Sequence, residues 1–309
     1  MMLETTPLAS QQPAAPDRPD PSKSLVILDT DIGYDPDDFV ALAIAARTVD
    51  DLAVITADET QGRRARLARC ALDALDRHDV PVITGIDLGG NHRFVMHDHP
   101  CPPPRRPDDA VNIVDELLDA VAGVCERTSG PIVWVGMGPM TNLALVLCSF
   151  PDLADRLSVV QMGGWLDHYR DKTRASHNLH TDTSSAGLAL RAIRSPRLVL
   201  SDFTNSPHID ITTDSALVRH LRSTTATAWQ RLLAANFQAW FTRRSGSWMH
   251  DPLTLSAALD RRFVAFRTER IRIARDARLY RDPHGRPLDV ACAVDYPEFL
   301  AWMHETLLR

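Results

Sequence analysis

The sequence predicts an α/β protein, a single domain with a mainly parallel central sheet flanked by helices. Three observations predict it. Short apolar runs alternate with longer Ala-, Leu- and Arg-rich stretches from residue 25 to the C-terminus. Those runs read continuously apolar rather than apolar–polar, as strands buried on both faces do. Several of them end directly on Asp or Gly, where the strands of such sheets present their functional loops. A chain of 309 residues, 44% hydrophobic, can bury a full core. Its length allows one large domain or two small ones. The absence of an internal repeat, or of a second composition regime after residue 24, favours one.

Residues 1–23 are rich in Pro, Ala, Ser and Gln and lack an apolar segment. They are expected to be a disordered tail rather than a secretory signal, with the folded domain spanning 24–309. Leu25–Leu28 reads as a buried strand, and FVALAIAAR from Phe39 to Arg47 as a helix. Leu52–Ala57 is a second strand, Arg63–Arg77 a second helix, and Pro81–Thr84 a third strand. Residues 86–107, with several Gly, Pro and His, form a long loop, and such loops are often functional. Helix, strand and helix follow at Ala110–Cys125, Ile132–Val135 and Thr141–Cys148. Leu157–Met162 is a strand, Ser184–Ile193 a helix, and Arg197–Leu200 a strand. Ala216–Phe241 reads as largely helical and Pro252–Leu259 as a short helix. Phe263–Val294 alternates around a turn at Asp282-Pro-His-Gly and reads as a hairpin; Glu298–Leu308 is a closing helix.

A net charge of −6 gives no basic surplus, so nucleic acid is not expected as a partner. The five cysteines are odd in number and contain no CxxC pair. That argues against a disulfide framework or a zinc site and fits a reduced, cytoplasmic setting. No apolar run approaches the length of about 18 residues that a membrane span needs.

The chemistry concentrates after the first strand. Asp29-Thr-Asp31-Ile-Gly33-Tyr-Asp35-Pro-Asp37-Asp38 holds five Asp in ten residues. Carboxylates gathered this closely must keep protons or hold a cation. An all-oxygen set suits Ca²⁺ or Mg²⁺. A plainer reading makes Asp35 an N-cap with Pro36 at the first helical position, and Asp37 and Asp38 partners of the helix dipole. That leaves Asp29 and Asp31 without a role.

DTDIGYDPDDFVALAIA resembles the N-terminal signature of the inosine-uridine-preferring nucleoside hydrolases, in a variant two residues longer than DxDxGxDD. Four later segments keep the family's order. Gly136-Met-Gly-Pro-Met-Thr-Asn142 resembles GPLTN, and Val159-Val-Gln-Met-Gly163-Gly164 resembles VxMGG. Ala175-Ser-His-Asn178 with Asp182 resembles AEFN…D, and His250-Asp251-Pro-Leu resembles HDPL. The resemblance covers roughly residues 25–300 and implies a Ca²⁺-dependent hydrolase of the N-glycosidic bond in ribonucleosides. It implies that Asp31 binds the metal and serves as general base, and that Asp38, Asp251 and the Met137 carbonyl complete the ion's ligands. It further implies that Asp37 and Asn178 hold the ribose, that Asp29 braces the loop, and that His250 helps the base depart. Imidazole can donate a proton near neutral pH. Thr141 and Asn142 are expected to support the calcium loop from the helix start. The plainer readings are a helix cap for Asp251, a packed or surface side chain for His250, and capping alone for Thr141 and Asn142. A homo-oligomer, dimer or tetramer, is the family expectation, with a small-molecule nucleoside or nucleotide as substrate.

The sequence departs from the family in places. Ser176 stands where the family has the AEFN glutamate, and Arg170 falls near a family asparagine; both family residues hold the ribose 5′ hydroxyl. The loop Tyr169-Arg-Asp-Lys-Thr-Arg174 is basic. Either it is simply solvated, or it meets a 5′-modified substrate such as a nucleoside 5′-monophosphate. Gln61 aligns without a gap on a family asparagine that reaches the ribose; either the longer side chain still bonds the ribose, or the loop takes another course. His92, His97 and His99 are candidates for a lid or base pocket. Two other classes also fit parts of the sequence: a ribose- or nucleotide-binding protein without turnover, and a Mg²⁺ phosphatase with an Asp nucleophile on its DxD loop. The first does not need Asp31 as a base, and the second does not use the GMGPMTN, MGG and HDPL segments.

Overall fold

The computed structural model describes residues 23–97, 101 and 112–308. The expected tail, apart from Lys23, lies outside them. Among the described residues, nine strands form one sheet in the order β10-β9-β11-β6-β5-β4-β1-β2-β3. In chain order these are β1 (Leu25–Thr30), β2 (Leu52–Thr56), β3 (Val82–Ile83), β4 (Ile132–Gly136), β5 (Leu157–Met162), β6 (Arg197–Val199), β9 (Val264–Ile273), β10 (Leu279–Arg281) and β11 (Arg286–Val294). From β3 to β11 every pairing is parallel, whereas β9 and β10 close one edge antiparallel. The mainly parallel sheet expected from the sequence is therefore present, with the expected hairpin added at its edge. A second, two-stranded sheet pairs β7 (Asp210–Thr212) with β8 (Gly246–Trp248); the sequence reading did not include it.

Apolar side chains along β1 alternate between two cores. Val26 and Leu28 join one, with α1 (Asp37–Thr48), α2 (Arg63–Ala74), α9 (Ala228–Phe241), α10 (His250–Ala258) and α11 (Tyr296–Leu308). Leu25 and Ile27 join the other, with α3 (Ile113–Glu126), α4 (Thr141–Ser149) and α6 (Thr183–Ala192). A strand buried on both faces has to be apolar at every position, which is why these runs do not alternate. The expected helix Ala216–Phe241 is broken into α8 (Ala216–Leu221) and α9 by the Ser- and Thr-rich stretch between them. Such residues bond to nearby backbone and interrupt helices. Two short helices, α5 (His177–Thr181) and α7 (Ser201–Thr204), went unread. They are too brief to show a periodicity.

The sheet order 3-2-1-4-5-6 reverses direction between β1 and β4. Loops leaving the carboxyl ends of those two strands part to opposite sides and open a crevice between them. Asp31 follows β1 and Met137 follows β4, so both sequence motifs lie at this crevice.

Candidate active site

A cavity of about 970 Å³ opens there. Its lining includes Asp31, Asp37, Asp38, Ser176, Asn178, His250, Asp251 and Arg170. Residues 31 and 251, from opposite ends of the chain, thus meet at one site.

The carboxylates of Asp37, Asp38 and Asp251 each place an oxygen within 4.8 Å of the others, and all three are buried. Two helix starts bring them together. Asp37 and Asp38 occupy the first turn of α1, and Asp251 the first turn of α10, which packs against it. The Asp251 N–H donates to Asp37 at 3.4 Å. Both helix dipoles point positive ends at the cluster, which offsets part of its repulsion. Capping does not explain the loop. Pro36 precedes α1 without a side-chain cap, and Asp35 instead accepts a hydrogen bond from Ser247.

Burial, then mutual repulsion, sets the electrostatics. Asp37, Asp38 and Asp251 are pushed well above the ordinary carboxylate pKa, first by loss of water and then by one another and Asp31. The same causes push Asp35 to about 8 and Asp29 to about 7. Asp31 lines the cavity beside the three-carboxylate group, and its charge bears on all five of these residues. Thr30 donates to Asp38, and Asn142 donates to Asp29 at 2.8 Å. Asn142 therefore supports the loop from behind rather than capping α4. Thr141 donates to Asp182 at 2.8 Å, tying α4 to the start of α6.

The donor set fits a hard dication: buried, all-oxygen, mutually repelling carboxylates whose repulsion such an ion would relieve. The Met137 carbonyl lies at the same crevice, where it accepts from Asn178 Nδ2 at 2.7 Å. A carbonyl has a second lone pair to offer. Asn178 also donates to the Met162 carbonyl at 3.3 Å, so its own carbonyl oxygen is the group left for a ligand. Ser176 Oγ accepts from the Gly164 N–H at 2.7 Å and keeps its hydroxyl proton to donate. His250 stands on the cavity wall, edge-on to Trp248. Burial, with His177 and Arg170 nearby, pushes its pKa down to about 4. It is therefore neutral at pH 7 in the free protein.

Not every candidate arrives. Gln61 is exposed in a left-handed turn with φ +57°, its N–H donating to Asp87 at 3.3 Å, and it does not line the cavity. His92 and His97 do not line it either, and His99 lies outside the described residues. Asp58 and Glu59, just before Gln61, are structural. Glu59 accepts from Thr60, Arg64 and Ala65 N–H at the start of α2. Asp58 pairs with Arg93 at 2.9 Å and with Arg64 at 3.8 Å.

Arg64 is the residue the sequence concealed. Fully buried, it donates to the carbonyls of Asp31, Ile32, Asp58 and Arg93 and so fixes the aspartate loop. Within the run Arg63–Arg66 it resembled a solvated basic face, and nothing in the spacing set it apart. Gly33 carries the same loop through φ +101°, and a Cβ there would meet Phe94 at 2.6 Å. His177 carries no signal in the sequence, yet it lines the cavity beside Ser176 and Asn178, at the start of α5. Tyr34, Trp165, Trp240 and Trp248 add aromatic faces to the lining.

Residues 26–301 match the family described as inosine-uridine preferring nucleoside hydrolase. The chain belongs to that family. By membership in the nucleoside hydrolases it is an N-ribohydrolase. A pyrimidine-specific ribonucleoside hydrolase of Shewanella sp. (strain MR-7) is 25% identical over 253 residues, 76% of this chain and 77% of the relative. Among solved structures, a plant nucleoside hydrolase has a TM-score of 0.75 at 22% identity, covering 92% of this chain and 98% of its own. A purine-preferring ribonucleoside hydrolase from Gardnerella vaginalis has a TM-score of 0.71, also at 22% identity, with 92% and 98% covered. These two establish the shared nucleoside hydrolase fold. Among the described residues, no helix is long and apolar enough to cross a membrane.

Proposed function

We propose that this nucleoside hydrolase cleaves ribonucleosides to free base and ribose at the β1/β4 crevice, using calcium held by its aspartates. The observation that carries the reading is the convergence of buried Asp37, Asp38 and Asp251 beside Asp31. Asp31, Asp38, Asp251 and the Met137 carbonyl would hold the ion, and Asp37 lies close enough to join them. When bound, a calcium ion supplies Lewis acidity to a water and an anchor for two vicinal hydroxyls.

The protein's own groups do the rest. Asp31 takes the proton of the water that attacks C1′ as the glycosidic bond breaks through an oxocarbenium-like state. Asp37 and the free oxygen of Asn178 accept hydrogen bonds from ribose hydroxyls. Tyr34 and Trp240, in edge contact at 5.0 Å, offer faces on which a base can lie. His250 donates a hydrogen bond from its neutral ring and so stabilises charge building on the departing base.

A panel of ribonucleosides, assayed for released base with calcium or with EGTA, tests the reading. Turnover should require calcium, and Asp31→Asn should lower kcat by about 10²–10⁴-fold. An Asp31→Asn variant with undiminished turnover would remove Asp31 as the base. Failure to cleave any N-riboside would remove the whole reading.

A further inference from the structure

Charge is unevenly spread along the cavity. Asp31, Asp37, Asp38 and Asp251 are buried at its floor, whereas Arg170, Lys172, Arg174 and Arg244 line it with exposed side chains. Asp171, half-buried on the same loop, pairs with Arg174 at 3.0 Å. Arg170, Lys172 and Arg244 have no carboxylate partner among the described residues. Arg170 has a fixed seat, its guanidinium over the Trp248 ring at 5.8 Å. That stacking leaves the edge of the guanidinium, with its N–H donors, open to a ligand. One further donor lies within the same cavity. The Ser176 hydroxyl accepts from Gly164 and has its proton to give.

We propose that this cationic mouth binds a phosphate carried by the substrate, which makes the preferred substrate a ribonucleoside 5′-monophosphate. The inference rests on the N-glycosidase reading above and deepens it. The position of the phosphate follows from the sugar. If the 2′ and 3′ hydroxyls face the aspartates, the 5′ oxygen is the remaining place for a phosphoester on ribose. A dianion also needs compensation to approach a site rich in buried carboxylates, and the unpaired cations at its entrance supply it. Planar guanidinium and flexible ammonium groups are the side chains that bind phosphate. The reaction remains hydrolysis of the C1′–N bond. Water adds to C1′, the base leaves with the glycosidic electron pair and a proton, and ribose 5-phosphate replaces ribose as the second product.

The full chain, with calcium chloride, should be assayed on uridine, inosine, their 5′-monophosphates and orotidine, with free base separated and quantified. The monophosphates should exceed their nucleosides in kcat/KM by about tenfold or more, and raised salt should erode the gain. Arg170→Ala with Lys172→Ala should cut the monophosphate-to-nucleoside ratio by about tenfold. Arg170→Lys should restore part of it, and melting temperatures should show that each variant folds. Nucleosides cleaved as well as their monophosphates, with a ratio the variants do not move, would overturn this inference and leave the glycosidase standing. Orotidine preferred over uridine and its monophosphate would place the anion on the base, overturning the 5′ assignment. If no substrate is cleaved, the glycosidase reading fails and takes this inference with it.

Discussion

At the scale of single residues the site is a concentration of unrelieved charge. Asp251 shows the consequence. Buried, and facing Asp37, Asp38, Asp31 and Asp35, its carboxyl is held far above the ordinary pKa. Asp251→Asn is nearly isosteric and removes one member of the repelling set. Without metal at pH 8, the variant should therefore melt higher than the parent, while catalysis falls by about 10²-fold or more. Calcium should no longer raise its melting temperature as it does the parent's. Thermal melts with EGTA and with calcium, beside a base-release assay, check this. A variant that melts lower without metal would show that Asp251 contributes to the fold and not only to the ion. His250 adds a related point. Because its neighbours and burial hold its pKa at about 4, the site cannot depend on imidazolium at neutral pH unless the substrate changes that environment.

At the scale of elements, the loop between β1 and α1 is tied to α2 through Arg64. Its guanidinium spans four carbonyls and faces Asp58, so no single smaller donor can replace it. Arg64→Met should destabilise the protein by about 3–5 kcal/mol, because buried acceptors and a carboxylate lose their partner. Arg64→Lys should retain only part of the difference. Urea unfolding measures both, and an unchanged midpoint for Arg64→Met would contradict the bracing role. Arg64 also marks where the sequence stopped being legible. The strands and most helices could be read because double-faced burial leaves continuous apolar runs, as in Leu25–Leu28 and Leu157–Met162. The carboxylate cluster could be read because its parts are dense motifs, Asp29–Asp38 and His250-Asp251. Sheet order, the β7/β8 pair and the Asp58–Arg93 contact depend on residues far apart in sequence, and no local pattern records them. Gln61 could not be placed for a related reason. Spacing without a gap sets it against a family asparagine, but spacing does not record the left-handed turn at residues 61–62 in which it stands exposed.

At the scale of the whole molecule, the buried acids couple folding to pH and to metal. With Asp29 near 7, Asp35 near 8 and the three clustered carboxyls also raised, the folded state keeps protons that the unfolded chain releases near pH 4. Stability from these groups is full at low pH and is lost as pH climbs through the raised values. His250 works in the opposite sense, because its folded pKa is depressed, but its effect is spent by about pH 6.5, the ordinary histidine value. Between about pH 6.5 and 8.5 the acids therefore govern, and the metal-free melting temperature should fall steadily across that window. A dication bound by the same carboxylates must displace their protons at lower pH and meets fewer of them at higher pH. The calcium-induced rise in melting temperature should then be larger at pH 8 than at pH 6. Free ion at about a hundredfold over its Kd would add about 2.7 kcal/mol, several degrees for a domain of this size. Melts of the full chain at both pH values, with EGTA and with calcium, decide the matter. A calcium shift identical at pH 6 and pH 8, over a flat metal-free baseline, would mean that the carboxylates are compensated by some other group and that the ion does not sit among them.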